Sequence, residues 1–144
     1  MEKNSIRVST GAKRIEVNDH GEYIVLNFND HSFPDRFFSM LDRVESRCDA
    51  AKAEEEKIRE QVDPGSTEFI RAVSAFDHDL HRYIAAEVDS VLGENTCRKV
   101  FGDIVPGVEL FEDFFSQLQP YFEKFSKERS QKMSKYSADR TANG

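Results

Sequence analysis

Two runs of apolar residues at helical spacing, separated by one four-residue break, constrain this chain more than any other feature. The first steps through Phe37, Leu41, Val44, Cys48, Ala51, Ile58 and Val62, with Glu55 at the skipped position and charged residues on the other faces. These positions keep to one heptad-like seam of a helix. The second carries Phe69, Val73, Phe76, Leu80, Tyr83, Ile84, Val88, Val91 and Leu92 at the same spacing, and Gly93 closes it. Between them Asp63-Pro64-Gly65-Ser66 is a strong break, after which Ser66 or Thr67 is free to cap the next helix. Two seams of similar length joined by a tight turn predict an antiparallel helical hairpin over residues 34–92. The stretch from Ala51 to Glu56 is weakly apolar, so this part of the first helix is expected to splay or to extend from the body.

Upstream the pattern changes period. Residues 1–12 are polar, end in Gly11-Ala12 and read as a loose leader. Ile15 and Val17 then alternate with Arg14 and Glu16, Asn18-Asp19-His20-Gly21 supplies turn residues, and Tyr23-Ile24-Val25-Leu26-Asn27-Phe28 follows. Two β-rich runs around an Asn/Asp/Gly cluster predict a β-hairpin over residues 13–29. A lone hairpin is marginal in water, so its apolar face is expected to rest on the helices. The helix entrance follows, with Ser32 as cap, Asp35 three residues later and Pro34 in the first turn.

Downstream, residues 93–107 are the least regular, with one turn of helix expected around Thr96–Phe101 and a loop ending at Pro106-Gly107. The last helix presents Val108, Phe111, Phe115, Leu118, Phe122 and Phe125 on one side, and Pro120 is expected to kink or divide it. From Ser126 the pattern stops. The fold class is therefore α+β, mainly α. Residues 1–125 are expected to form a single domain, with a C-terminal helical part over 96–125 and a basic, flexible tail over 126–144.

Charge narrows the partner class. The net charge of −7 divides into +3 over residues 126–144 and −10 over the rest. An acidic body argues against nucleic acid as the main ligand, because phosphate binding needs a basic surface. The basic tail reads first as a solvated segment that helps solubility. Twelve Phe are too many for a disordered chain. With two well-separated cysteines, no apolar N-terminal run and no long apolar stretch, the chain is expected to be cytoplasmic and reduced, with no signal peptide and no membrane span.

Catalytic constellations are sparse. His78, Asp79 and His81 share a helical neighbourhood, and two His three apart beside carboxylates are a conceivable divalent-metal site. Only His20 and His31 remain as further histidine ligands, both in turns, so the bland reading is a polar surface. Cys48 lies on the apolar seam, where free Cys behaves as a small core residue. Cys97 precedes Arg98-Lys99, charges able to lower a thiol pKa, but no positioned base is legible. Neither GxSxG nor a phosphate-cradling glycine loop occurs, and no catalytic residue, metal or cofactor is expected.

The phenylalanine-rich end is more informative. In Leu110-Phe111-Glu112-Asp113-Phe114-Phe115 the three Phe cannot all point the same way on one helix. Core packing accounts for such a cluster, and so does a protein-binding groove or oligomer contact. The partner-binding candidates are Phe101, Phe111, Phe114 and Phe115.

Residues 87–115 read EVDSVLGENTCRKVFGDIVPGVELFEDFF. With Asp89, Leu92-Gly93, Thr96, Phe101-Gly102, Pro106, Phe111 and Phe114-Phe115, and with Arg14-Ile15-Glu16-Val17-Asn18 and the entrance from Phe28-Asn29-Asp30 to Phe33 upstream, this text resembles short proteins of bacterial phage and prophage tail modules. Those proteins are similar to phage tail assembly chaperones. The resemblance spans roughly residues 13–125. It implies a non-enzymatic role in a bacterial host cell: holding an aggregation-prone segment of a tail protein such as the tape measure, or nucleating tail-tube polymerisation around it. The alternatives are a self-associating helical structural or adaptor protein, in which the seams pair between copies as a homo-oligomer, and a metal-dependent hydrolase using His78, Asp79 and His81.

Overall fold

The structure, a computed structural model, describes residues 4–143, except for the side chains at 132, 133 and from 135 onward. It is mainly helical with one N-terminal β-hairpin, as the sequence predicts. In chain order the elements are β1 (Lys13–Glu16), β2 (Tyr23–Leu26), α1 (Ser32–Gln61), α2 (Thr67–Leu92), α3 (Thr96–Phe101) and α4 (Val108–Asn143). The chain divides after Gly107 into two compact units.

In the first unit β1 and β2 pair antiparallel, with Lys13 opposite Leu26 and Glu16 opposite Tyr23. The turn between them is organised by one side chain. Asn18 Oδ1 accepts the His20 N–H at 2.9 Å and the Glu22 N–H at 3.2 Å, a local bond that makes Asn a turn former. Alternation along β2 sends Ile24 and Leu26 into the core and leaves Tyr23 and Val25 exposed, as the period of two requires.

The entrance to α1 differs from the expected cap. The residue preceding the helix is His31, whose side chain makes no capping bond. Asp30 does the work instead: its carboxylate accepts the Ser32 N–H at 2.9 Å and the Ser32 hydroxyl at 2.6 Å, and pairs with Arg36 at 3.2 Å. Those Ser32 bonds, aided by Arg36, hold the Asp30 carboxyl below its ordinary value. At the other break Ser66 caps α2 as expected, its Oγ accepting the Phe69 N–H at 3.1 Å.

The core of the hairpin is concentrated at one end. Phe33, Phe37, Met40 and Val44 of α1 and Leu80, Ile84, Val88 and Leu92 of α2 are buried, together with Ile24, Leu26 and Phe28. Toward the turn only Ala51 is buried; Ile58, Val62, Phe69, Val73 and Phe76 are half-buried. The thin stretch from Ala51 to Glu56 is thus where close packing stops, and Arg59 stacks over Phe69 there at 6.0 Å. Met40, wholly buried, lies one residue before the seam position Leu41, which is half-buried.

The second unit is the single helix α4. Pro120 lies inside it rather than dividing it, which removes one backbone donor without ending the helix. The backbone stays helical past Ser126 to Asn143, where the apolar pattern has run out. No Gly or Pro occurs from Tyr121 to Asn143, and Lys, Glu, Arg, Gln and Met there favour helix.

Candidate protein-binding surface

The irregular stretch after α2 is a braced joint. Gly93 ends α2 at φ +117° and ψ 154°, a region open in practice to glycine alone, and its N–H bonds back to the Asp89 carbonyl at 3.0 Å. Asn95 follows in the left-handed conformation at φ +64°, which Asn tolerates better than most residues. Six residues are too few for a helix to persist unaided, and α3 is held from outside. Asp89 Oδ1, eight positions upstream, accepts the Cys97 N–H at 3.0 Å and so satisfies a donor that α3 leaves open. The buried Thr96 hydroxyl donates to the Gly93 carbonyl at 2.7 Å. At its end the Gly102 N–H donates to Arg98 at 2.8 Å, with Gly102 at φ +78°.

The β-hairpin clamps the same short helix. Asn18 Nδ2 donates to the Lys99 carbonyl at 2.9 Å, and Lys99 Nζ donates to the Tyr23 carbonyl at 3.2 Å. Asp89, Gly93, Thr96 and Gly102 therefore have a mechanical role: they fix α3 between α2 and the hairpin turn.

This joint presents an uncovered apolar pair. In the loop after Gly102, Ile104 is 58% and Val105 is 52% exposed, whereas Pro106 is buried. Two adjacent branched residues facing solvent are the kind of feature a partner protein covers. Of the four residues expected to bind a partner, Phe101 and Phe115 are half-buried, whereas Phe111 and Phe114 are 1% and 7% exposed. Along α4 the Phe115 ring lies 6.4 Å from Phe111 and 6.0 Å from Phe114. Leu110 and Tyr121 are the exposed apolar residues of that helix among its described side chains. Ile104 and Val105 escape a sequence reading because they obey no period. The available signal is an apolar pair set between Gly102-Asp103 and Pro106-Gly107.

The hairpin flank offers a shallower feature. A groove of about 300 Å³ between α1 and α2 is lined by Ala50, Ala51, Phe76 and Leu80 together with the charged Arg47, Glu54 and Asp79. Beside it Arg43 pairs with Glu87 at 2.7 Å, and Arg47 stacks over Tyr83 at 5.0 Å. With Arg43 half exposed, the pair contributes little to stability.

The thiol and histidine candidates are placed as follows. Cys97 is buried, and its Sγ donates weakly to the Ala85 carbonyl at 3.7 Å. Burial first, then the Asp89 charge and hydrogen bond, push its thiol up to about 12. The lowering expected from Arg98-Lys99 does not occur, since Lys99 is turned to Tyr23. A thiol raised from 9.0 to about 12 stabilises the fold below pH 9, and that contribution is lost as pH rises from about 9 to about 12. Denaturant titrations of the wild type and Cys97→Ala across that window should show the steeper loss in the wild type. His78 and Asp79 are exposed and His81 half-buried. Among the described residues no three His, Cys, Asp or Glu gather as a set able to hold a metal ion.

Among the described residues no helix is long and apolar enough to cross a membrane. A family model described as "Family of unknown function (DUF6673)" matches residues 20–144. No curated protein and no solved structure matches the chain.

Proposed function

The chain belongs to this family of unknown function, and we propose that it is a non-enzymatic assembly protein that holds another protein, in the manner of the phage tail assembly chaperones its sequence resembles. The observation that carries the reading is the exposed pair Ile104 and Val105, set on a loop whose preceding helix is braced by Asp89, Asn18 and Lys99. A preorganised apolar contact binds with less ordering cost than a loose one. Phe101, half-buried beside this loop in sequence, extends the contact. The partner this surface suits is an apolar, aggregation-prone segment of a tail protein, the tape measure first, and the place of action is the cytoplasm of the bacterial host. The acidic body keeps such a complex soluble through its net charge.

Co-expression with the tape measure protein of the same prophage tests the reading. The chain should raise the soluble yield of that protein and co-purify with it. Ile104→Asp with Val105→Asp should weaken the complex at least ~100-fold, since two buried aliphatic contacts are lost, while leaving the helical signal intact. Equal tape measure yield and no co-purification in the presence of the wild-type chain would sink the proposal.

A further inference from the structure

Two apolar side chains outside the core are almost wholly exposed, Ile6 at 93% and Val8 at 78%. They lie in Ser5-Ile6-Arg7-Val8-Ser9-Thr10, where polar residues alternate with β-branched ones, the pattern of a strand with one buried face. Yet residues 4–12 pair with no strand. One side-chain bond ties their exit: Asn29 Nδ2 donates to the Thr10 carbonyl at 2.9 Å and lies against Gly11, which sits at φ +75°.

The β-hairpin has an open edge of matching pattern. The Val17 N–H donates to the Glu22 carbonyl at 3.0 Å, and Ile15 stands opposite Ile24 and Lys13 opposite Leu26. Hydrogen-bonded and non-hydrogen-bonded pairs alternate along an antiparallel ladder. The backbone groups of Lys13, Ile15 and Val17 therefore turn toward β2, and those of Arg14 and Glu16 turn outward. Among the described residues these outward groups have no backbone partner, and an unpaired edge is a template for another strand. Ile15 and Val17, beside that edge, are only half-buried.

We propose that residues 5–10 of one copy add as a third, antiparallel strand to β1 of a second copy, with Arg7 opposite Glu16 and Val8 opposite Ile15. In this register Ile6 faces Val17, so the exposed pair covers the half-buried one. The opposite charges of Arg7 and Glu16 meet across the strands. A slip by one residue turns Ile6 and Val8 to the solvent face, so charge and apolar pattern select the same register.

The chain's own segment is poorly placed to fill its own edge. Only Gly11 and Ala12 separate Thr10 from Lys13, and a two-residue hairpin closes on a hydrogen-bonded pair. Lys13 has its N–H and carbonyl turned to Leu26 instead. A longer loop removes Lys13 from β1 and breaks the Asn29–Thr10 bond. Reciprocal exchange between two copies satisfies both edges at once. None of this depends on the tail-assembly reading.

Sedimentation equilibrium of the full chain across a wide concentration range tests the proposal. The wild type should associate, and Ile6→Asp with Val8→Asp should weaken association at least ~100-fold with unchanged helical content. Arg7→Glu and Glu16→Arg should each weaken it, and the two together should restore it. A wild type that is monomeric at every concentration overturns the proposal, as does association that survives Ile6→Asp with Val8→Asp. A charge-exchanged double variant no tighter than either single one overturns the register.

Discussion

Ile84→Ala should lower the unfolding free energy by about 2–5 kcal/mol. Ile84 is fully buried on α2, among the buried residues of the end where Met40 and Val44 of α1, Leu26 of β2 and Val88 of α2 also lie. Removing three carbons there costs their transfer free energy and leaves a cavity that close-packed neighbours fill only in part. A domain of this size is stable by only about 5–15 kcal/mol, so the variant should unfold at markedly lower denaturant. Ile58→Ala is the control. Ile58 is half-buried where packing thins, and its truncation should cost less than about 1.5 kcal/mol. Urea titrations followed by far-ultraviolet circular dichroism separate the two; equal losses would contradict a core concentrated at the β-hairpin end.

Asp89→Ala should cost about 1–3 kcal/mol, because the Cys97 N–H then has no acceptor in a part-buried position. The effect is also local. α3 spans six residues and relies on bonds from outside its own ladder, so losing one should loosen the whole turn. Amide hydrogen exchange should therefore accelerate at Cys97, Lys99 and Gly102 while α1 amides stay protected. Asp89→Asn keeps an oxygen acceptor and should fall between wild type and alanine. If the alanine variant exchanges like the wild type, α3 is not held by Asp89. The same variant should weaken partner binding, since Ile104 and Val105 follow directly from the end of α3.

The fold was legible where residues obey a period. The seams through Val44 and Ile84 gave the helical hairpin, Asp63-Pro64-Gly65-Ser66 placed its turn, and Asn18 with Gly21 placed the other. What period cannot show is which of two adjacent positions faces the core. Leu41 fits the heptad, but Met40 is the buried residue. Local capping was misread at Ser32 for a different reason: Asp30, two residues earlier, offers a charged acceptor that takes both the Ser32 N–H and its hydroxyl. The composition of α4 after Ser126 lacks an apolar stripe yet favours helix, so loss of amphipathicity did not mean loss of helix.

The candidate surface was legible only in part. Phe101 and Gly102 mark the place, and the glycine-rich text around them carries the resemblance. Asp89 reaching Cys97 and Asn18 reaching Lys99 are contacts across 8 and 81 positions, which no local pattern encodes. Ile104 and Val105 lie in the loop just after the braced helix, where no period marks an apolar pair as exposed.

Affinity capture of the tagged chain from cells in which the prophage has been induced, with the bound proteins identified by mass spectrometry, tests the proposed assembly role. The wild-type chain should recover tail proteins, the tape measure above all, and the Ile104→Asp, Val105→Asp variant should lose them. Recovery of the chain alone, or of the same proteins by both forms, would contradict that role.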